Sequence, residues 1–374
     1  MNNNSWFKKE KPMLTLPGLG GGSASNLYWR RSSTYPPLSN PFTLQLDSSS
    51  GGGSLGDDAT VQSNWWGTQT YDNTVITSIG QEQYQGFYAF TLGQSCTISA
   101  TLGGASGWKN CRGRSIRSDF DLPSGTRVVF FAGKNPAAGG STEGAGGGAS
   151  CLMTYQAGVN SGITVNGFTP LIIAAGGGEA SSNANINNAN QEISSAAPPL
   201  SVTSQSNINS TRNAATSGTC TWYTNNDYAG GVGRSSSAQG GGSGWKAGAV
   251  NTDGTAIISG SVGLAYGALG VSQSGSNVSG GFGGGGYGWN SNYYGAGGGG
   301  LYGGFEGTGC TGSTTNYEAY TSSGGNTIDD RLGALSYADP NGTNTTDNGL
   351  WGTGTYADIN QANQNRGRVY LSFT

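Results

Sequence analysis

The chain returns repeatedly to short runs of glycine: GLGGGS, SGGGS, GAGGGAS, AAGGGEA, QGGGSG, GGFGGGG and GAGGGGLYGG. Seventy of its 374 residues are glycine, against a usual share of roughly 7%. Glycine loses more conformational freedom on ordering than any other residue, so these runs must either stay loose or exploit the missing side chain. The densest stretch, GGFGGGGYGWNSNYYGAGGGGLYGG at residues 280–304, sets its glycines beside Phe282, Tyr287, Trp289, Tyr293, Tyr294, Leu301 and Tyr302. Flexible linkers do not carry such side chains, and exposing them all would create a large apolar patch. The irregular spacing of the runs also excludes the strict period of collagen.

A packed arrangement accounts for glycine and aromatics together. An extended polyproline-II-type helix makes no internal hydrogen bonds, so its N–H and C=O groups point outward and need partners when buried. Rods of glycine can approach closely enough to bond to one another, and flanking aromatics would cover the outside of the bundle. The glycines expected in such a lattice are Gly146, Gly147, Gly148, Gly176, Gly177, Gly178, Gly283, Gly284, Gly285, Gly286, Gly297, Gly298, Gly299 and Gly300. A phosphate loop is a poor alternative. The runs satisfy G-x-G-x-x-G only through glycine saturation, with no βαβ context. FFAGKNPA has Val128 and Asn135 where a Walker loop needs glycine and a hydroxyl.

Composition narrows the function classes. Charged residues make up 10% of the chain and the net charge is −3, which gives no basic surface for nucleic acid or anionic lipid. Aromatics also make up 10%, unlike disordered chains, which are charge-rich and aromatic-poor. The sequence has no histidine, so histidine acid–base catalysis and histidine metal ligation are out. It has no 18-residue apolar run and no secretory leader pattern, so neither membrane insertion nor secretion is expected. The five cysteines, Cys96, Cys111, Cys151, Cys220 and Cys310, lack a CxxC pair and read as small buried hydrophobes. One pair, Cys96–Cys111, could close in an oxidising medium. No cofactor is expected.

Along the chain, residues 1–46 read as an extended arm. Pro36, Pro37 and Pro41 force extended backbone. Trp6, Phe7, Lys8, Lys9, Leu14, Leu16, Leu19, Tyr28 and Trp29 would make it a docking peptide, because apolar groups on an extended arm need a partner surface. Residues 47–374 read as one glycine-rich β domain. GFYAFTL, CTISATL, TRVVFFAG, SCLMTYQ, GITVNG and TPLIIAAGGG are β-branched or aromatic runs bounded by turn residues. RGRVYLSFT reads as a terminal strand closing a sheet. No segment holds a helical apolar period for three turns, so very little α-helix is expected. The polar span 186–227 reads as a surface excursion.

Taken in order, FDLPSGTRVVFFAGKNPAAGGSTEGAGGGASCLMT, TPLIIAAGGGEA, GGFGGGGYGWNSNYYGAGGGGLYGG and RGRVYLSFT resemble the glycine-rich domain family. That family includes the glycine-rich region of anaplastic lymphoma kinase and glycine-rich fibre or adhesin proteins of bacteriophages. The resemblance covers roughly residues 85–374. It implies a mainly β fold, with β-sandwich or jelly-roll-like strands fused to a bundle of polyglycine-II helices. In phage adhesins of this kind, loops between the glycine rods contact the host.

The phage branch is the expected one, since no signal, membrane span or paired cysteines accompany the domain. The chain is then read as a virion appendage of tail-fibre or adhesin type, assembled in the host cytoplasm and displayed outside. Its arm would dock on other virion structural proteins. Aromatic and Asn-rich loops would meet a host cell-surface protein or glycan, with Trp222, Tyr223, Asn225, Trp289, Asn292, Tyr293 and Tyr294 as candidate contacts. A homotrimer, if formed, would come from packing of the body. A capsid fibre or head decoration protein is the alternative. A glycan depolymerase is remote, because it needs a carboxylate pair. The adjacent pairs Asp57–Asp58 and Asp329–Asp330 would point to opposite faces of a strand.

Overall fold

A computed structural model describes residues 35–48, 71–81, 86–107, 112–136, 145–159, 162–178, 197–200, 232–233, 242–245, 250–251, 280, 283–286, 297–301, 303, 334–351 and 366–374. All lie in one compact unit, Ser33–Thr374. The strands are β1 (Phe42–Asp47), β2 (Ile76–Gln81), β3 (Tyr88–Leu92), β4 (Cys96–Gly103), β5 (Gly113–Leu122), β6 (Arg127–Phe131) and β7 (Ser150–Tyr155). They continue with β8 (Phe168–Ala174), β9 (Ala197–Leu200), β10 (Val232–Gly233), β11 (Val250–Asn251), β12 (Leu335–Ala338), β13 (Thr343–Trp351) and β14 (Arg368–Phe373). No helix occurs among the described residues, and so none is long and apolar enough to cross a membrane.

The strands form two large sheets. One has five strands in the order β1-β14-β4-β5-β13, all paired antiparallel. The other has seven, in the order β2-β3-β6-β7-β8-β12-β9. It is antiparallel except where β12 meets β9. β10 and β11 form a short parallel pair.

The two sheets differ in pattern, and the reason is burial. In β14, Val369, Leu371 and Phe373 are buried while Arg368, Tyr370 and Ser372 alternate with them on the other face. β4 alternates in the same way, with Cys96, Ile98, Ala100 and Leu102 inward. Such period-two patterning marks a sheet with one covered face. The central strands of the larger sheet are buried on both faces. In β6, Val128 and Phe130 join the main core, whereas Val129 and Phe131 join a second cluster on the opposite side. That is why RVVFF and LIIA read as continuous apolar runs.

The main core collects inward side chains of both sheets, including Leu44, Leu46, Ile98, Leu102, Ile116, Val369 and Leu371 from one and Ile76, Phe90, Phe130, Leu152 and Ile172 from the other. Phe373 is its aromatic hub. It stacks on Phe42 at 4.5 Å between ring centroids and meets Phe90 edge-on at 5.5 Å, the geometries aromatic pairs prefer. The second cluster is closed by Trp245 and Leu301, which come from glycine-rich segments.

Several strands lie where sequence patterning had placed them. GFYAFTL, TRVVFFAG and SCLMTYQ contain β3, β6 and β7, and CTISATL and TPLIIAAGGG cover all but one residue of β4 and β8. The closing RGRVYLSFT contains β14, paired with β1 and β4. GITVNG is a correction. It gives only an isolated bridge, Val165 to Phe168. Asn166 and Gly167 take φ of 51° and 88°, the left-handed pair that a tight Asn-Gly turn requires, so the run folds back rather than extending. Residues 42–46, assigned to the arm by sequence, form most of β1.

Candidate functional site

The glycine segments are built as continuations of the strands. Residues 104–107 follow β4, 132–136 follow β6, 145–149 precede β7 and 175–178 follow β8. Residues 242–245, 283–286 and 297–301 join them. All fourteen glycines singled out by sequence are described and buried.

Their backbone groups bond between segments. Gly146 N–H donates to Gly286 O at 2.8 Å, Gly147 to Gly177 at 2.8 Å, Gly148 to Lys134 at 3.0 Å, and Ala149 to Gly283 at 2.8 Å. Ala105 donates to Gly148 O at 2.9 Å, and Gly299 to Gly147 O at 3.1 Å. Segment 145–149 is therefore bonded to five other segments. A strand in a sheet has at most two neighbours, because its donors and acceptors lie in one plane. Further bonds run from Gly176 to Gly299 O at 2.9 Å, Gly177 to Ala105 O at 2.9 Å, Ser243 to Gly284 O at 2.7 Å and Gly286 to Gly297 O at 2.8 Å.

Close approach explains the residue type. A Cβ added at Gly146 would lie 1.9 Å from Gly297 O, at Gly176 2.2 Å from Gly147 O, at Gly298 2.2 Å from Gly176 O, and at Gly299 1.9 Å from Gly283 O. The obstacles are backbone carbonyls, which cannot swing aside. Lys134, the lysine of FFAGKNPA, is buried, and its carbonyl accepts from the Gly148 N–H.

Trp245 couples this region to the larger sheet. Its side chain is fully buried, its indole Nε1–H donates to Ile163 O at 2.7 Å, and its backbone N–H donates to Leu301 O at 3.0 Å. The sequence offered no way to distinguish this tryptophan from its eight counterparts.

The other residues singled out by sequence, Trp6, Phe7, Lys8, Lys9, Leu14, Leu16, Leu19, Tyr28 and Trp29 of the arm, lie outside the described residues. So do Trp222, Tyr223, Asn225, Trp289, Asn292, Tyr293 and Tyr294, and the acidic pairs Asp57–Asp58 and Asp329–Asp330. Cys96 and Cys151 are buried free thiols; Cys111 lies outside the described residues.

Burial, with Asp121 adding to it, pushes the Cys96 thiol up to about 11, and burial alone pushes Cys151 well up. The thiolate is the reactive form. Neither thiol is therefore expected to react with an aromatic disulfide reagent at pH 8 until denaturant is added, which a colorimetric titration checks. The sign for stability follows from the same shift. Above about pH 9 the unfolded chain releases protons that the folded chain still holds. Stability should thus fall as pH rises from 9 toward 11.

The outward face of the five-stranded sheet is a second polar surface that sequence patterning did not single out. Register aligns side chains across it in rows: Gln45, Tyr370, Thr101 and Arg117; then Asp47, Arg368, Gly103 and Ser115; then Thr43, Ser372, Ser99 and Asp119. Arg368 Nε donates to Asp47 Oδ1 at 2.5 Å. Thr97 donates to Asp121 at 2.6 Å, Arg117 to Ser99 at 3.2 Å and Asn344 Nδ2 to Asp119 at 2.6 Å. Trp351 lies flat on this face because position 103 has no side chain; a Cβ there would sit 2.6 Å from the indole. Its Nε1–H donates to Arg366 O at 2.7 Å, and the Arg368 guanidinium sits 5.4 Å over its ring, within cation–π range. Tyr370 is 37% exposed.

Edge strand β13 flanks this face. Two register shifts interrupt its pairing with β5, and Asn344 and Gly349 take positive φ. Bulges and polar side chains of this kind block addition of a foreign strand. Arg114 clamps β13 through both oxygens of Asp347, with Nε to Oδ1 at 2.7 Å.

Among the described residues, no group of three acidic or cysteine side chains could hold a metal ion. Compared with protein-family models and with curated proteins, the chain matches none.

Proposed function

We propose that this chain is a structural appendage of a bacteriophage particle, of tail-fibre or adhesin type. Its body would be a β-sandwich fused to a bundle of polyglycine-II helices. The observation that carries this reading is the bonding of segment 145–149 to five neighbours. Radial bonding of that kind suits a hexagonal array of three-fold rods, and it gives the glycine-rich body the rigidity an externally displayed scaffold needs. The likeness in motif order described above supplies the phage context. The arm would dock on other virion proteins, and aromatic and Asn-rich loops would meet a host protein or glycan.

Deleting residues 1–32 from the chain encoded by the phage, and counting the protein in purified particles by immunoblot, tests the arm. Loss of the protein from particles while it stays soluble in lysate is the expected result. Incorporation at the wild-type level overturns the docking role. Electron microscopy of particles labelled with antibody against the body tests the site, with label at the tail expected.

A further inference from the structure

We propose that the outward face of the five-stranded sheet binds a neutral saccharide, with Tyr370 as the stacking platform. This deepens the host-surface reading above and rests on it, while placing the contact on a sheet rather than on glycine-rich loops. Three features of the face carry the assignment.

The first is an exposed ring. Tyr370 is exposed, while Trp351, packed against Gly103 one row away with Arg368 over its ring, walls that side of the platform. Aromatic faces pack against the apolar C–H face of a pyranose, as they do against other apolar surfaces. The second is the polar complement. Gln45, Thr101 and Asp47 flank Tyr370 and Arg368 across the register, and carboxylate, amide and hydroxyl groups together offer both donors and acceptors to a sugar's hydroxyls. The pairing of Arg368 with Asp47 and of Arg117 with Ser99 holds several of these groups in place before any ligand arrives, which lowers the ordering cost of binding.

The third is charge. Asp47, Asp119 and Asp121 face Arg117 and Arg368 on this surface, so its charges nearly cancel. A polyanion would need a cationic surface, as nucleic acid does. A cationic ligand would need more than the surplus of one carboxylate that this face carries. A near-neutral face with one exposed ring and short polar side chains fits an uncharged sugar.

The test is saturation-transfer NMR of the full chain with a panel of methyl glycosides of glucose, galactose, mannose and N-acetylglucosamine. At least one should receive saturation on its ring protons. Tyr370→Ala should weaken that binding about tenfold without changing the melting temperature. Tyr155→Ala removes a tyrosine of equal exposure, 37%, from the other sheet and should leave binding intact. No transfer to any glycoside overturns the proposal, as does equal weakening by both variants.

Adsorption of the fluorescently labelled chain to a panel of bacterial strains separates this proposal from the appendage reading. Adsorption by wild type that Tyr370→Ala abolishes supports both. Adsorption that survives Tyr370→Ala overturns the platform and leaves host binding standing. Failure of the wild type to adsorb to any strain counts against host binding, and the NMR result still decides the platform.

Discussion

Gly299→Ala should destabilise the protein by at least about 3 kcal/mol, lowering its melting temperature by about 4 °C or more or preventing folding outright. The added methyl would stand 1.9 Å from the carbonyl oxygen of Gly283, far inside contact distance. Relief by rotation is closed off, because Gly299 is held from both sides: its N–H donates to Gly147 O and its carbonyl accepts from Gly176. Moving it would break bonds in three segments, each buried and without water to replace the partner. Intrinsic propensity alone predicts the opposite sign, since replacing glycine by alanine at a tolerant site stabilises by reducing unfolded-state entropy. Gly80→Ala in β2 is the matched control. Nothing lies within 4 Å of a Cβ there, so it should stay within about 1 kcal/mol of wild type. Calorimetry on the two variants decides the matter. Equal melting would mean that the glycine segments are not packed as described.

Much of this architecture was legible in the sequence, and the reasons differ by element. β6 and β8 announce themselves through unbroken apolar runs, because both their faces are covered. β14 does so through alternation. β5, GRSIRSDFDL, and β13, TNTTDNGLW, were not singled out. Their outward positions carry Arg, Asp, Asn and Thr, and in β13 the inward alternation is broken by two register shifts. A strand that borrows its definition from a partner more than two hundred residues away leaves little local signal. The same holds for the outward face of this sheet. Tyr370, Arg368, Asp47 and Trp351 come from three strands, and only the register brings them together. The buried glycines carry the opposite kind of signal: at Gly146, Gly147, Gly176, Gly283, Gly298 and Gly299 a neighbouring backbone excludes any side chain, and that exclusion is written at each position separately.

Trp245 packs the glycine segments against strands of the larger sheet, and its replacement should reveal how tightly they are joined. Trp245→Ala removes the largest fully buried side chain of the described residues and is expected to cost about 3–5 kcal/mol. Trp245→Phe keeps most of the ring volume but leaves the carbonyl of Ile163 without its indole donor, an expected cost of about 1–3 kcal/mol. The ratio of the two losses separates packing from hydrogen bonding. Hydrogen exchange locates the damage. Trp245 shares a cluster with Phe131, Cys151, Met153 and Leu301 but not with Phe373 or Leu371. The Ala variant should therefore first lose protection at Ser243, Gly286 and Gly300, whose amides donate between the glycine segments, while β4 and β14 keep theirs. Uniform loss across both sheets would instead mean that glycine segments and strands open as a single cooperative unit. Unchanged protection at these three amides would show that Trp245 does not hold the two together.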